Sequence, residues 1–170
     1  SGTLARLLTG ILSTTPNINI NLTGDRSLSK RSMKKLIEIL SEFGAYFYPV
    51  GKYNFPLKMF SSELPVGINY EAGVSAQIKS SVILAGLNSF GNTNIIETEK
   101  SRDHTENMLL NNKGSIKIKR GKRKHIKIFG KKFLDPLKIE VPGDPSSSAF
   151  FSALTILNKR SSITIKNVGL

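Results

Sequence analysis

Glu71-Ala-Gly-Val-Ser-Ala-Gln-Ile-Lys-Ser-Ser-Val-Ile-Leu-Ala-Gly-Leu87 is the stretch that decides the fold. Ser75 predicts a helix N-cap, because its oxygen can accept a hydrogen bond from a free amide of the first turn. From Ile78 onward almost every residue is apolar or small, which is typical of a helix buried on all sides. Ser75, Gln77 and Lys79 add donors at the helix end that attracts anions. The stretch therefore predicts a buried helix whose N-terminus faces a negatively charged ligand.

Composition limits the class of protein and its partners. The chain has 170 residues, no Cys, and a formal net charge of +13 from 25 Lys and Arg against 12 Asp and Glu. The charge favours nucleic acid, a membrane surface or phosphorylated small molecules as partners. No apolar run reaches the roughly eighteen residues of a transmembrane helix, and the start does not resemble a signal peptide. We therefore expect no membrane partner and a cytoplasmic location, and neither terminus resembles a natural boundary, so we expect a piece of a longer protein.

The chain repeats itself at a long interval. Ser1 and Ser75 are 74 residues apart, Met33 and Met108 are 75 apart, and Ser75 and Ser147 are 72 apart. Each repeat is predicted to run strand, helix, strand, helix, strand, strand, with a buried Ser-capped first helix and an amphipathic second helix. The sequence therefore predicts an α/β (α+β) fold of repeated βαβαββ units, with the helices inside and mixed sheets outside.

Local patterns place the individual elements. Apolar spacing predicts a helix over 4–12, and a second, amphipathic helix that starts at Ser29 or Ser32 and stops at Gly44. A third helix is predicted from Arg102 or Asp103 as far as Gly114, and the last over 146–157. The predicted strands are 19–22, 45–50, 55–60, 68–71, 92–98, 115–119, 125–129, 137–141 and 163–168.

Five motifs occur in register along the chain: Ser1-Gly-Thr-Leu-Ala-Arg-Leu-Leu-Thr-Gly10, Gly24-Asp-Arg-Ser-Leu-Ser-Lys-Arg-Ser-Met33, Ser75-Ala-Gln-Ile-Lys-Ser80, Ser101-Arg-Asp-His-Thr-Glu106 and Pro142-Gly-Asp-Pro-Ser-Ser147. In their order and spacing they resemble the 5-enolpyruvylshikimate-3-phosphate synthase family of enolpyruvyl transferases. The resemblance covers essentially all 170 residues. It departs at Ser32, where the family usually has Pro after the Arg.

The resemblance implies a fold and a place in it. The family has two domains of three βαβαββ units each, an inside-out α/β barrel. Residues 1–141 would then be two units of the substrate-binding domain, and 142–170 the start of a further unit that belongs to the second domain. The chain would be the middle of the enzyme.

The resemblance also implies the reaction and the residues. The enzyme transfers the enolpyruvyl group of phosphoenolpyruvate to the 5-hydroxyl of shikimate-3-phosphate and releases phosphate, by addition and elimination, without a metal or organic cofactor. Gln77 would contact both substrates. The remaining residues would be Ser75, Ala76, Ser101 and Arg102 for shikimate-3-phosphate, and Gly2 and Arg31 for phosphoenolpyruvate. The family's acid–base carboxylates and essential lysines lie outside this chain, so we expect no catalytic residue here and no turnover from the chain alone.

Other polar residues receive structural interpretations. Asp25 and Asp144 follow Gly in turn-like segments and are predicted turn or cap residues. Asp103 and Glu106 are expected to stabilise the start of a helix through its dipole rather than to act as catalysts. His104 is expected to be structural or solvated. With two His and no Cys, the sequence predicts no metal site.

Two other functions stay open. One is a sibling enzyme that transfers the same group to UDP-N-acetylglucosamine; the other is a basic nucleic-acid-binding module. The Lys- and Arg-rich tract 117–132 favours the second, but isoleucines alternate with its lysines and predict a hairpin with one buried face. We expect that hairpin to be solvated, with no specific nucleic-acid partner. The missing unit should leave apolar surface through which the chain can self-associate.

Overall fold

The computed structural model describes residues 1–112 and 114–169 and divides the chain into two compact units, Ser1–Asp135 and Pro136–Leu170. The elements of the first unit, in order, are α1 (Gly2–Ser13), β1 (Asn19–Leu22), α2 (Arg26–Ser29), α3 (Lys34–Glu42), β2 (Tyr46–Tyr48), β3 (Leu57–Phe60), β4 (Asn69–Ala72), α4 (Ala76–Leu87), β5 (Asn92–Glu97), α5 (His104–Leu109), β6 (Ile116–Lys119) and β7 (Lys124–Phe129). The second unit contains α6 (Pro145–Leu157).

The first unit holds two sheets. The strands of one run in the order β1-β3-β2 and are antiparallel throughout. Those of the other run in the order β4-β5-β7-β6, with β4 and β5 parallel and the remaining pairs antiparallel. The succession β4, α4, β5, α5, β6, β7 is the predicted strand–helix–strand–helix–strand–strand order. The α/β fold and its mixed sheet are therefore confirmed.

Helices α1 and α4 pair side by side through equivalent positions of the repeat. The Gln77 Nε2 donates to Thr3 Oγ1 at 2.8 Å, and the Asn88 Nδ2 donates to the Thr14 carbonyl at 2.7 Å. Both contacts join residues 74 positions apart, so the helices run parallel with their N-termini at the same end. Ser1 and Ser75 cap those termini, each by accepting a bond from the amide three residues on. The repeat thus brings two helix N-termini together.

The approach of α1 to α4 depends on a small residue. A Cβ added at Gly10 would lie 2.6 Å from the Ser81 carbonyl oxygen, well inside van der Waals contact. Ser81 is fully buried, and its hydroxyl donates to the Arg6 carbonyl at 2.8 Å. Any side chain at Gly10 would therefore push the two helices apart.

Helix α3 closes the core beneath the first sheet. Its buried face is formed by the predicted stripe, and the chain turns at Gly44, where φ is +95°. That value lies in the left-handed region that glycine adopts without strain, so Gly44 ends the helix as predicted. The buried residues of the stripe are Met33, Leu36, Ile37, Leu40 and Phe43.

Several predicted boundaries are wrong. Ser29 does not start α3: it ends the separate helix α2, which Asp25 caps by accepting from the Leu28 amide. Ser32 lies closer to the start, since its Oγ accepts from the Lys34 amide, but the N-cap position is Met33. Helix α5 ends at Leu109, before the predicted stop at Gly114. Position 113, between them, lies outside the described residues.

Helix α1 is only partly buried, contrary to the prediction for every first helix. Leu4, Leu8 and Ile11 are 62%, 44% and 40% exposed, and they follow one another at helical spacing along one face. Helix α4, by contrast, buries seven of its twelve residues. The difference arises because α4 has neighbours on several sides, whereas α1 packs mainly against α4 and α3.

Helix α6 is the only regular element in the described part of the second unit. Asp144 caps α6 and accepts hydrogen bonds from the Ser146 and Ser147 amides, as expected for a cap residue. The predicted strands 137–141 and 163–168 do not form; one isolated bridge joins Gly143 and Val168. In the described part of this unit, the alternating apolar residues of these two segments form no strand pairing beyond that bridge. The assignment of 142–170 to another domain stays a prediction.

Candidate functional site

The residues predicted to hold shikimate-3-phosphate lie around one concavity. Its volume is about 680 Å³, and residues 74–77 and 100–104 line it. Ser75, Ala76 and Gln77 come from the N-terminus of α4, while Ser101 and Arg102 come from the loop between β5 and α5. We call this the Gln77–Arg102 concavity.

The two sides of this concavity suit an anion. The free amides and dipole of α4 point into it from one side. On the other, Arg102 is exposed and forms no ion pair with residues 1–112 or 114–169. His104 also lines it and is exposed, which agrees with its predicted solvated position. A phosphate or carboxylate placed here would meet helix amides and a free guanidinium together.

The residues predicted to meet phosphoenolpyruvate lie beside Gln77 and gather around a second arginine. Arg6 Nη1 donates to Gln77 Oε1 at 2.7 Å and to the Gly2 carbonyl at 3.3 Å. A Cβ added at Gly2 would lie 2.8 Å from Arg31 Nη1 and 3.2 Å from Arg6 Nη1. Gly2, Arg31 and Gln77 are thus brought together, with Arg6 at their centre.

Arg6 and Arg31 are close enough to affect each other. Partial burial lowers the pKa of Arg6 first, and the positive charge of Arg31 lowers it further. Two neighbouring guanidinium groups that repel each other are stabilised by an anion that both can bind. A concavity of about 400 Å³, lined in part by Arg6, Ser75, Gln77 and residues 32–36, adjoins them.

A buried ion network lies beneath the Gln77–Arg102 concavity. The Lys79 Nζ lies 2.7 Å from Glu97 Oε1 and 2.8 Å from Glu106 Oε1, and all three side chains are at most 2% exposed. The Lys124 Nζ joins from the hairpin, 3.4 Å from Glu97 Oε2 and 3.2 Å from Glu106 Oε1. Two lysines thus neutralise two carboxylates between α4, β5, α5 and β7.

Glu97 also holds the loop that carries Arg102. Its Oε1 accepts from the Ser101 amide at 3.0 Å and from the Ser101 hydroxyl at 2.7 Å. Burial alone would raise the pKa of Glu97, but the hydrogen bonds from Lys79 and Ser101 outweigh it and lower the pKa to about 2. The Ser101 hydroxyl is therefore engaged by Glu97 at the edge of the concavity.

A known protein family matches the whole chain. The family model described as EPSP synthase (3-phosphoshikimate 1-carboxyvinyltransferase) matches residues 1–170. The chain belongs to the EPSP synthase family. Two curated relatives, both named 3-phosphoshikimate 1-carboxyvinyltransferase, come from Jannaschia sp. (strain CCS1), 40% identical over 172 residues, and Novosphingobium aromaticivorans, 42% identical over 175. All of this chain aligns with each, and it spans 38% and 39% of their lengths.

A solved structure supports the same family. The EPSP synthase from Acinetobacter baumannii superposes with a TM-score of 0.78 at 36% sequence identity, over all of this chain and 38% of the other. The chain thus spans about two fifths of the EPSP synthases that it matches. Its sequence and its fold both match that family.

Three residues of this chain of the EPSP synthase family were missed or misread from sequence. Lys79 is not an anion ligand at the helix mouth: it is fully buried and bound to Glu97 and Glu106. Glu106 lies in the first turn of α5 as predicted, but the sequence did not indicate that it is fully buried and bound to Lys79. Arg6 was not predicted at all. Its signal was available, since it lies one helical turn beyond Gly2 in the first motif and so on the same face of α1.

The basic hairpin is folded as predicted. Ile116, Ile126 and Ile128 are buried on one face, and the tip, residues 120–123, lies at the surface. Lys124 departs from the prediction because it is largely buried in the ion network. A concavity of about 420 Å³ separates the tip from the loop 97–103. In the described part of the chain, no helix is long and apolar enough to cross a membrane.

Proposed function

We propose that this chain supplies substrate contacts of a 3-phosphoshikimate 1-carboxyvinyltransferase, which transfers the enolpyruvyl group of phosphoenolpyruvate to the 5-hydroxyl of shikimate-3-phosphate and releases phosphate. The observation that carries the proposal is the convergence on Gln77. Its side chain lies between the Gln77–Arg102 concavity and the Gly2–Arg6–Arg31 cluster. One residue can thus contact two anionic substrates that must meet to react.

The ligand roles follow from the two sides of Gln77. Shikimate-3-phosphate occupies the concavity, where Ser75, Ala76 and the α4 amides face Arg102 across it, with Ser101 beside Arg102. Phosphoenolpyruvate occupies the neighbouring side, where the cluster of Gly2, Arg6 and Arg31 offers two guanidinium forks. Bidentate bonds from arginine suit the phosphates and carboxylates of both substrates.

The chain is proposed to bind rather than to catalyse by itself. It spans about two fifths of the EPSP synthases that it matches. General acid and base groups contribute about 10²–10⁴-fold each to such reactions, and the site residues proposed here are anion-binding groups. We place residues 1–141 in the substrate-binding domain and 142–170 at the entry to the other, in a cytoplasmic enzyme.

Calorimetric titration tests the proposed function. Shikimate-3-phosphate is titrated into the 170-residue chain and into Gln77→Ala, with Asn94→Ala as the matched control. Asn94 also carries a side-chain amide bonded to another side chain, Asn69, but on the exposed surface of β5. We expect binding to the wild type and control, and at least about tenfold weaker binding to Gln77→Ala. Equal affinities for all three proteins would contradict the proposal.

The alternatives are separated by the same titration. The basic hairpin favours polyanion binding at low salt. If the chain is a nucleic-acid module, an oligonucleotide at physiological salt will bind tightly and displace any phosphorylated ligand. If it is the sibling enzyme, UDP-N-acetylglucosamine will bind in place of shikimate-3-phosphate. Our proposal requires shikimate-3-phosphate binding that an oligonucleotide does not displace.

Self-association is a further proposal for this chain. The exposed stripe of Leu4, Leu8 and Ile11 on α1 is continuous apolar surface of the kind that promotes contact between copies. Sedimentation velocity of the wild type and of Leu8→Lys tests it. We expect a concentration-dependent dimer that Leu8→Lys weakens; a monomer at all concentrations would contradict the proposal.

A further inference from the structure

The buried ion network reaches the substrate site mainly through the buried carboxylate of Glu97, since the other contact, between Lys124 and the partly exposed Asp103, is 4.0 Å long. Lys79 lies two residues after Gln77 on α4, on the buried side of the helix, and it binds Glu97 at the end of β5. Glu97 in turn accepts two hydrogen bonds from Ser101. These contacts connect the helix that carries Gln77 to the loop that carries Arg102, so the two sides of the Gln77–Arg102 concavity share one buried link.

We propose that Glu97 is a positioning residue, whose buried carboxylate holds the loop 98–103 so that Ser101 and Arg102 face the N-terminus of α4. Glu97 does not line the Gln77–Arg102 concavity itself. It acts through Ser101, which it holds by both the amide and the hydroxyl. The part of this proposal that concerns ligand affinity rests on the proposed function.

The partner carboxylate shows why Glu97 rather than the whole network has this role. Glu106 is equally buried and binds the same two lysines, Lys79 and Lys124. Among the residues that the structure describes, its hydrogen bonds and ion pairs are to those lysines and none is to Ser101. Loss of either carboxylate should destabilise the fold, whereas only loss of Glu97 should free the loop.

The chemistry of the bond supports a strong anchor. Hydrogen bonds to an ionised carboxylate are stronger than bonds between neutral groups. Lys79 and the Ser101 bonds keep Glu97 ionised, since they lower its pKa to about 2. Glu97 is therefore ionised at neutral pH.

Hydrogen exchange in the ligand-free chain tests the positioning role. Exchange of the Ser101 amide is measured relative to that of Ile126, a core amide of β7, in the wild type, Glu97→Ala, Glu97→Gln and Glu106→Ala. Exchange of Ile126 reports global unfolding, so an increase at Ser101 that exceeds the increase at Ile126 reports local opening of the loop. We expect the ratio to rise at least about tenfold in Glu97→Ala, to rise less in Glu97→Gln, which keeps an acceptor oxygen but loses the charge, and not to rise in Glu106→Ala.

Ligand affinity provides the second measurement. Shikimate-3-phosphate should bind at least about tenfold more weakly to Glu97→Ala than to Glu106→Ala. If Glu97→Ala does not fold, Glu97→Asp is used instead. The Asp side chain keeps the charge, but it is one methylene shorter, so its carboxylate lies farther from Ser101. Equal Ser101 exchange ratios in Glu97→Ala and Glu106→Ala overturn the proposal. Failure of the wild type to bind the ligand counts against the proposed function alone, since exchange needs no ligand.

Discussion

Acid should destabilise this chain through Glu97 in a defined pH range. Glu97 is 3% exposed, and its pKa is lowered from 4.5 to about 2 by its bonds to Lys79 and Ser101, against the opposing effect of burial. A carboxylate whose pKa is lower in the folded state stabilises the fold above its unfolded pKa. That stabilisation is lost as the pH falls from about 4.5 to about 2.

The magnitude follows from the size of the shift. One pKa unit corresponds to about 1.36 kcal/mol, so the ionised Glu97 contributes roughly 3 kcal/mol to the free energy of unfolding at neutral pH. Glu97→Gln removes the charge but keeps the shape, and so resembles the protonated carboxyl. At pH 7 we expect the variant to be less stable than the wild type by about 2–3 kcal/mol.

The assay is urea unfolding followed by circular dichroism between pH 7 and pH 2.5. The difference in unfolding free energy between wild type and Glu97→Gln should be constant above about pH 5 and shrink steadily below it. Glu63→Gln, which alters an exposed carboxylate, serves as the control and should show little difference at any pH. A Glu97→Gln difference that is small at pH 7, or that does not change down to pH 2.5, would refute the assignment of the buried network.

Three further results are expected. Gly10→Ala should lower the free energy of unfolding by about 1–3 kcal/mol in thermal or urea denaturation, because the added methyl meets the Ser81 carbonyl; Gly73→Ala, where a Cβ has open space, should change it far less, and equal effects would contradict the α1–α4 packing. Arg6→Met should weaken phosphoenolpyruvate binding at least about tenfold in calorimetry, since it removes the guanidinium that binds Gln77, and unaltered affinity would exclude Arg6 from the site. The chain alone should release no measurable phosphate from the two substrates in a coupled assay; steady turnover would contradict a purely binding role.

The buried helix and the second sheet could be predicted because local pattern and global fold agree there. The apolar run after Ile78 indicated burial, and Ser75 marked the helix start, both of which the structure confirms. The alternation of isoleucine and lysine fixed which face of the hairpin would be buried. Each of these signals depends only on residues within the element itself.

Elements that depend on a distant partner could not be predicted in the same way. Leu137, Ile139 and Val141 alternate like a strand, yet within the described residues no neighbouring strand pairs with them. The exposed stripe on α1 has helical spacing as good as that of a buried helix. Periodicity shows which residues share a face, but it does not show what covers that face.

The polar residues of the site were likewise predicted where the signal is local and missed where it depends on distant partners. The motifs identified Gln77 and Arg102, and the structure places both at one concavity. The burial of Lys79 was missed because its two carboxylate partners, Glu97 and Glu106, are 18 and 27 positions away along the chain. A lysine within an otherwise apolar helix was the available signal, since a buried charge requires such partners.

The most direct test of the binding site is chemical-shift mapping. The ¹⁵N-labelled chain is titrated with shikimate-3-phosphate and its amide resonances are followed. We expect the largest changes to occur together at Ser75, Ala76 and Gln77 on α4 and at Ser101 and Arg102 on the facing loop. Changes confined to the basic hairpin tip, residues 120–123, or no changes at a saturating ligand concentration, would contradict it.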